Sequence, residues 1–265
     1  MDKRKTGGSG LSRKILAMLF CFSAVAFGAD NSIYIDQSGD NSTITITQEG
    51  AGNTVRGLPG TGTSNVTPAT ISGDNNTVVI DQIGSGNMLK FGIATTTGGT
   101  GMPSIRYSVT GNNADATIKS MNPGSVADSP IIDVQQIGNF AFLSIDQRGM
   151  GPNNTITALQ NGGNNNSLTV DQNSDVQSTA TINQTGGGGN TTTINQSGGA
   201  NSATVTTVGA TNTTTIVQAG SHTSVVDITG SGNNTLIDQS GVAGSNIANY
   251  KAVGSGNTTS ITQRN

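Results

Sequence analysis

The sequence is poor in most of the residues from which a globular core is built. It has no tryptophan, its aromatic content is 3%, and 32% of its residues are apolar, where soluble domains usually reach about 45–50%. Charged residues make up only 10%, too few for self-repulsion to keep the chain disordered. A conventional core of large side chains is therefore excluded. Two possibilities remain: a disordered low-complexity chain, or a narrow repetitive fold with a core of short and amide side chains.

The N-terminal segment differs from the rest of the chain because it is first basic and then continuously apolar. The apolar run at 15–27 is 13 residues long, which is short for a membrane span and typical of a secretory signal peptide. Cleavage before Ala29 would remove residues 1–28 and leave 29–265 as the mature chain. An uncleaved membrane anchor is the alternative interpretation.

Loss of this leader would remove the single cysteine, Cys21, so the mature chain would have neither a thiol nor a disulfide. Five of the 12 basic residues and one of the 15 acidic residues would leave with it, which makes 7 positive and 14 negative charges, a net charge of −7. An acidic chain without a basic patch is not expected to bind nucleic acid. Its stability must come from backbone hydrogen bonds and packing.

Side chains suited to catalysis or metal binding are also scarce. His222 is the only histidine and stands beside Gly220 and Ser221, where we expect a surface turn residue rather than a general base. The glycine-rich turns lack the aspartates of a calcium-binding β-roll. We therefore predict no catalytic, cofactor-binding or metal-binding residues and no enzyme activity.

What the sequence does contain is a repeat, which is clearest in its glutamines. Gln37 and Gln48 are 11 residues apart, and the steps from Gln160 to Gln196 are 12 residues each. A sequence motif recurs along the chain. It begins with asparagine, continues with a few residues of alternating type, and ends in glutamine, any residue and glycine, as in NTVVIDQIGSGN from Asn76. This phasing is too regular for disordered low-complexity sequence.

Within each repeat the side chains alternate with a period of two, which is the signature of a β-strand. In the repeat that starts at Asn190, one face continues with Thr192, Ile194 and Gln196. The apolar members are β-branched, as strands prefer. Glycine and asparagine follow, and they suit tight turns with positive φ. The pattern therefore predicts strand, turn, strand, turn along the chain.

A short strand with two aliphatic side chains is not stable alone, so the repeats must stack. Two strands and their turns would make one coil of 22–24 residues, with coils about 4.7–4.9 Å apart. We predict an all-β fold, a β-solenoid of about nine coils. Its cross-β ladders would stack Ile and Val in columns, and Asn and Gln amides would hydrogen-bond along the stack. The predicted inward ladder residues are Gln37, Gln48, Gln82, Gln136, Gln147, Gln160, Gln172, Gln184, Gln196, Gln218, Gln239, Gln263, Asn31, Asn41, Asn76, Asn190 and Asn257.

Three stretches do not fit the repeat, namely 57–69, 94–103 and 120–130. Five of the six prolines lie in them, as expected if the strand N–H groups are committed to hydrogen bonds. We predict that they are loops that protrude from turns of one continuous solenoid. A division of the chain into separate stacks is the alternative.

The phrase Asn/Ser-x5-Gln-x-Gly-x2-Asn resembles the curlin repeat of bacterial curli subunits. The match is good at 76–87, 190–198 and 257–263, and weaker copies cover most of the chain from Asn31. The resemblance implies export through an outer-membrane channel and self-polymerisation, together with other curli-type subunits, into a functional amyloid. The chain departs from the usual pattern in its insertions and in the immediate start of its repeats.

Five aspartates directly precede a glutamine and would therefore point outward. They would form a solvated and mutually repelling surface that discourages lateral aggregation. A column of carboxylates that binds cations is the alternative. These residues are Asp36, Asp81, Asp146, Asp171 and Asp238.

The function that we predict is an extracellular, cell-surface structural protein that forms curli-like amyloid fibres in a biofilm matrix. Its partner would be a second copy of itself, with no cofactor and with membrane contact only during export. Neither 31–37 nor 258–263 contains an edge proline or a capping helix, which an assembling solenoid does not need. The alternative is a monomeric secreted binding module: an adhesin, a phage-type fibre segment or an ice-binding protein. The last is suggested by alternating threonines such as Thr191 and Thr193.

Overall fold

The computed structural model describes residues 30–58, 68–95, 103–122, 131–148, 154–241 and 244–265. The predicted signal peptide and most of the three predicted insertions lie outside these residues. Within the described ranges the chain forms strands and turns and no helix. It follows that no helix in these ranges is long and apolar enough to cross a membrane.

The strands follow one another along the chain, and most of them are seven or eight residues long. Their bounds are β1 Ser32–Ile33, β2 Ile35–Ser38, β3 Thr43–Glu49, β4 Thr54–Arg56, β5 Ala69–Ser72, β6 Thr77–Ile83, β7 Met88–Thr95, β8 Ser104–Thr110, β9 Asp115–Asn122, β10 Ile131–Ile137, β11 Phe142–Arg148, β12 Thr155–Asn161, β13 Ser167–Ser174, β14 Thr179–Thr185, β15 Thr191–Gly198, β16 Ser202–Val208, β17 Thr213–Ala219, β18 Thr223–Thr229, β19 Asn234–Ser240, β20 Ile247–Val253 and β21 Thr258–Arg264.

The strands form two sheets in which every described pairing is parallel. The first sheet runs in the order β1-β4-β7-β9-β11-β13-β15-β17-β19-β21, with β2 and β5 beside β1 and β4, and the second runs β20-β18-β16-β14-β12-β10-β8-β6-β3. The chain alternates between the sheets, so each coil contributes one strand level, or rung, to each sheet. The predicted all-β β-solenoid is therefore confirmed, and the predicted number of about nine coils is close to the number found.

The core lies between the two sheets and consists of side-chain columns that run along the stack. Burial alternates along each strand, as in β6, where every second residue is buried. Because the strands pair in register, a β-branched side chain in one coil rests on a similar side chain in the next. Columns of this kind allow a chain with few apolar residues to make a dry core. One column of the first sheet consists of Ile118, Ile145, Val170, Ile194, Ile216 and Ile237.

The turns that lead from the second sheet back to the first begin with glycine. Gly84 is one of them, with φ at 118°. A Cβ on Gly84 would lie 1.9 Å from the carbonyl oxygen of Gly111 in the next coil. The backbones of successive turns thus approach too closely to leave room for a side chain, and glycine also adopts this φ without strain.

The predicted insertions are associated with the first sheet and with the turns that leave it. Residues 96–102 and 123–130 lie between β7 and β8 and between β9 and β10, outside the described residues. The first stretch, 57–69, differs, because β4 and β5 both pair with the single strand β7. It interrupts one rung of the first sheet, so its expected position at a turn is wrong. A continuous neighbouring strand keeps the hydrogen bonds on both sides of the interruption.

Candidate functional site: amide ladders and open sheet edges

Glutamines of the first sheet form a hydrogen-bonded ladder along the stack. In each step the Nε2 of one glutamine donates to the Oε1 of the glutamine in the next coil, over 2.8 to 3.1 Å. Every member donates and accepts, so a row of amides is buried without the loss of hydrogen bonds. All donations point towards the C-terminal end. The ladder consists of Gln147, Gln172, Gln196, Gln218, Gln239 and Gln263.

The second N–H of each ladder glutamine joins the two sheets. Nε2 of Gln196 also donates to the backbone oxygen of Thr179 at 3.0 Å, and Nε2 of Gln239 donates to that of Thr223 at 3.1 Å. Thr179 and Thr223 are the first residues of β14 and β18 in the opposite sheet. The glutamines therefore stabilise both the stacking of coils and the packing of one sheet on the other.

The corresponding ladder of the second sheet is interrupted. Gln48 donates to Gln82 at 2.7 Å, but the next position in the column is Val109. A second run starts at Gln136, and its donations to Gln160 and from Gln160 to Gln184 cover 2.7 and 2.9 Å. Beyond it the column continues with Thr207, Ile228 and Ala252.

Tyr107 takes the place of the missing amide donor below Gln136. Its hydroxyl is buried and donates to Oε1 of Gln136 at 2.7 Å. Burial, and to a smaller extent the charge of Asp115, raises the pKa of Tyr107 above its ordinary value of 10.0. The folded chain therefore holds this proton more tightly than the unfolded chain does.

We expect the free energy of unfolding to fall as the pH rises above about 10, because tyrosine ionises there only in the unfolded chain. The contribution is fully present below this pH. A Tyr107→Phe variant should be less stable at neutral pH but should lose less on going to alkaline pH. Urea unfolding between about pH 8 and 11 measures the difference, and Tyr34 and Tyr250 give the same background in both proteins. An equal alkaline fall in both would contradict the assignment.

Asparagines close the turns from the second sheet to the first. Oδ1 of Asn190 accepts a hydrogen bond from the backbone N–H of Asn212 at 3.1 Å. Oδ1 of Asn212 in turn accepts from the N–H of Asn233 at 3.0 Å. Nδ2 of Asn212 donates to the carbonyl of Gly230 at 2.8 Å. Each asparagine thus satisfies one donor and one acceptor of the turn stacked on it.

His222 occupies the same position in the turns from the first sheet to the second. Its backbone N–H donates to Oδ1 of Asn201, and its Nδ1 accepts from the N–H of Asn246, both at 3.2 Å. Nε2 lies 3.0 Å from the oxygen of Ala219, so these partners assign the proton to Nε2. His222 is 1% exposed, so the expectation of a surface residue is wrong. A neutral imidazole supplies the same acceptor and donor as an asparagine amide.

A proline interrupts the ladder of side chains in the turns from the first sheet to the second. Asn76 precedes β6, and the residue stacked on it is Pro103, whose carbonyl accepts from the N–H of Thr77 at 2.8 Å. Proline has no N–H to donate, and Oδ1 of Asn76 is buried without a hydrogen-bond partner. The ladder is therefore broken where the chain carries its second insertion.

Asn41 lies outside the ladder in which we expected it. It is exposed and adopts a φ of 57°, a conformation that asparagine tolerates better than most residues. Ser42 holds the ladder position, and its Oγ is 3.3 Å from the backbone nitrogen of Asn76. The inward position that was predicted for Asn41 therefore belongs to the next residue, Ser42. The sequence signal was the pair Asn75-Asn76, whose first member has the same φ of 57°.

The other predicted ladder members of the first and last coils are less buried than those between them. Gln37 faces Ile71 in the next coil, and its Nε2 is 3.4 Å from the oxygen of Gly39, so it joins no glutamine. Gln48, Gln263 and Asn31 are half-buried, and Asn257 is exposed. In the part of the chain that the structure describes, no coil lies beyond these side chains on one side.

The outward face of the first sheet carries ion pairs between coils. Lys119 and Asp146 lie 3.4 Å apart, and Arg148 and Asp171 lie 2.8 Å apart. The expected mutual repulsion is therefore wrong for these two aspartates, because neighbouring rungs supply cations. The described residues include no group of three or more His, Cys, Asp or Glu that could hold a metal ion.

Within the described residues, the two ends of the stack are open edges of parallel sheets. The N-terminal edge consists of β1, β2 and β3, and the C-terminal edge consists of β20 and β21; each of these strands pairs with a described strand on one side only. Core residues at the edges are half-buried, as at Ile46 and Ile261, whereas Ile80 inside the stack is 0% exposed. Unpaired strand backbones can template the pairing of another chain, so these edges are the candidate functional site.

Comparison with known proteins agrees with this architecture. The family model of the curlin associated repeat matches residues 26–55 and 187–220, and these ranges include the N-terminal edge and the strands β15 to β17. No curated protein and no solved structure matches the chain. Curlin-repeat proteins are structural subunits, not enzymes, and are secreted to the cell surface. Two segments of the chain therefore match the curlin associated repeat, and the described residues form a β-solenoid.

Proposed function

We propose that the mature chain is a subunit of an extracellular, curli-like amyloid fibre that supports adhesion and aggregation in a biofilm matrix. Copies stack end to end, and the C-terminal edge of one copy templates the N-terminal edge of the next. The observation that supports this most directly is that both edges are open and carry the same inward columns. Ile46 and Gln48 stand at one edge, and Ile261 and Gln263 stand at the other.

Each joint would add to stability in three ways. The N–H and C=O groups on the open sides of the five edge strands would gain partners. The half-buried isoleucines would become buried, which contributes about 25 cal/mol per Å² of apolar surface. The glutamine ladders would continue across the joint, as in a steric zipper.

The route to the cell surface is proposed from the predicted signal peptide at 1–28 and from the family. Export would use an outer-membrane channel, and other curli-type subunits would be the additional partners. The chain would contact membranes only during export.

The assembly is tested with residues 29–265 diluted from denaturant to neutral pH. We expect fibres with a cross-β reflection near about 4.7 Å. An Ile261→Lys variant should remain monomeric, because its ammonium group would have to be buried in the joint. The matched control is Ser260→Lys on the same strand, which faces solvent and should assemble like the parent.

Two outcomes would contradict the proposal. One is a parent chain that folds to a stable monomer at every concentration. The other is an Ile261→Lys variant that forms fibres as fast as Ser260→Lys. Sedimentation, thioflavin fluorescence and fibre diffraction separate these cases.

The alternative of a monomeric binding module has one supporting observation. Thr191 pairs with Thr213, and Thr193 pairs with Thr215, which places hydroxyl groups in a regular array on the outer face of the first sheet. Such an array could bind an ordered surface such as ice. A stable monomer that retards ice growth would favour this function over assembly.

A further inference from the structure

The two sheets of the described chain differ by one rung. The first sheet has ten rungs if β1 with β2 and β4 with β5 are each counted as one, and the second sheet has nine. Both β1 at the start and β21 at the end belong to the first sheet. The described stack therefore contains a whole number of coils plus one additional half-coil.

The additional half-coil restricts how a second copy can continue the stack. If the copies were stacked without rotation, the first sheet would continue from β21 to β1 and β2, but the second sheet would lack one strand between β20 and β3. The facing edges of β20 and β3 would be about two rungs, or about 10 Å, apart. The unpaired backbone groups there are costly unless water reaches them.

A half-turn about the stack axis removes this gap. It places β1 and β2 of the second copy on β20, and β3 of the second copy on β21. Because the strands of the two sheets run in opposite directions, the half-turn also keeps every new pair parallel. We infer, on the basis of the proposed assembly, that successive copies in the fibre are related by this half-turn.

The side chains at the β21–β3 joint are complementary in this arrangement. In the register of the interior pairs, Gln48 would rest on Gln263 and Glu49 on Arg264. The first-sheet glutamine ladder of one copy would thus pass into the second-sheet ladder of the next. Without rotation, Arg264 would rest on the neutral Ser38.

The β20 joint shows the same complementarity. In the same register Asp36 would rest on Lys251. Lys251 already pairs with Asp227 from the rung below, at 3.7 Å, and Lys119 pairs with Asp146 in the same manner inside the stack. Opposite charges in one outward column therefore meet within this solenoid, and the half-turn extends that pattern across the joint.

Disulfide trapping tests the arrangement, because residues 29–265 contain no cysteine. Glu49, Ser38 and Arg264 are all exposed, so cysteine at these positions leaves the core intact. Neighbouring rungs are about 4.8 Å apart, within the Cα separation that a disulfide spans. Mild oxidation of fibres made from E49C/R264C should give a ladder of covalent oligomers on a non-reducing gel. The control S38C/R264C should remain largely monomeric.

A charge exchange provides a second measurement. E49R would place arginine on Arg264, and R264E would place glutamate on Glu49, so each variant alone should elongate about threefold more slowly than the parent. In an equimolar mixture the two variants can alternate along the fibre. Every joint between unlike copies then pairs an arginine with a glutamate, and the mixture should recover the parent rate. Without rotation, Arg264 rests on Ser38 and mixing has no effect.

The outcomes separate this inference from the proposed function. A parent chain that forms no fibres would overturn the assembly and the half-turn together. Fibres that cross-link through S38C/R264C and not through E49C/R264C, or a mixture that stays slow, would overturn the half-turn alone.

Discussion

The variant Gly230→Ala is expected to lose about 3 kcal/mol or more of its free energy of unfolding, because its Cβ would overlap the next coil. The Cβ would lie 1.9 Å from the carbonyl oxygen and 2.6 Å from the carbonyl carbon of Gly254. The φ of Gly230 is 130°, which an L-residue rarely adopts. Neither obstacle is relieved by a side-chain rotation, so the two turns must separate.

The matched control lies two residues further in the same turn. Gly232 has a φ of 66°, and a Cβ on it meets nothing within 4 Å. Thr211 and Phe140 occupy this turn position in other coils, with φ of 54° and 53°. Gly232→Ala should therefore cost only about 1 kcal/mol. Urea unfolding in an Ile261→Lys background would measure both under monomeric conditions. Equal losses would show that φ alone, and not the contact between coils, sets the cost.

Gln136→Glu is expected to destabilise the chain by about 3 kcal/mol or more at neutral pH. The side chain is buried, and its Nε2 donates to Oε1 of Gln160 at 2.7 Å. A carboxylate would place a charged oxygen against that acceptor in a dry column. The neighbouring Gln135 is exposed, and Gln135→Glu should change stability by about 0.5 kcal/mol or less.

The loss in Gln136→Glu should depend on pH with a defined sign. Burial raises the pKa of the introduced carboxyl above its unfolded value of about 4.3. The destabilisation is therefore complete above the folded pKa and shrinks as the pH falls towards about 4, where the protonated acid can donate again. The difference between the two variants should narrow over this range. A constant difference, or equal stability of the two variants at neutral pH, would contradict the buried ladder.

Local patterns in the sequence were sufficient for the strands and for their stacking. The alternation in Thr192, Ile194 and Gln196 indicates which face is inward, because successive residues of a strand point to opposite sides. The glycine and asparagine after each strand indicate the turns, because few other residues adopt positive φ. These rules involve residues close in sequence, and repetition makes them reliable.

The role of His222, which takes the place of an asparagine in the turn ladder, could not be predicted in this way. Its role depends on which residue of another coil stands above it, and Asn201 and Asn246 are 21 and 24 residues away. The same holds for Ser42 in place of Asn41, where a shift of one residue changes which side chain reaches Asn76.

The repeating strands and the turn residues could thus be predicted from local sequence, because they depend on short-range backbone preferences. That β4 and β5 share one rung, and that the first sheet has one rung more than the second, followed only from the pairing of the strands. The tertiary structure also decided which charges stand at the open edges. These features depend on register and on the count of rungs, which arise when coils separated by 20 residues or more come into contact.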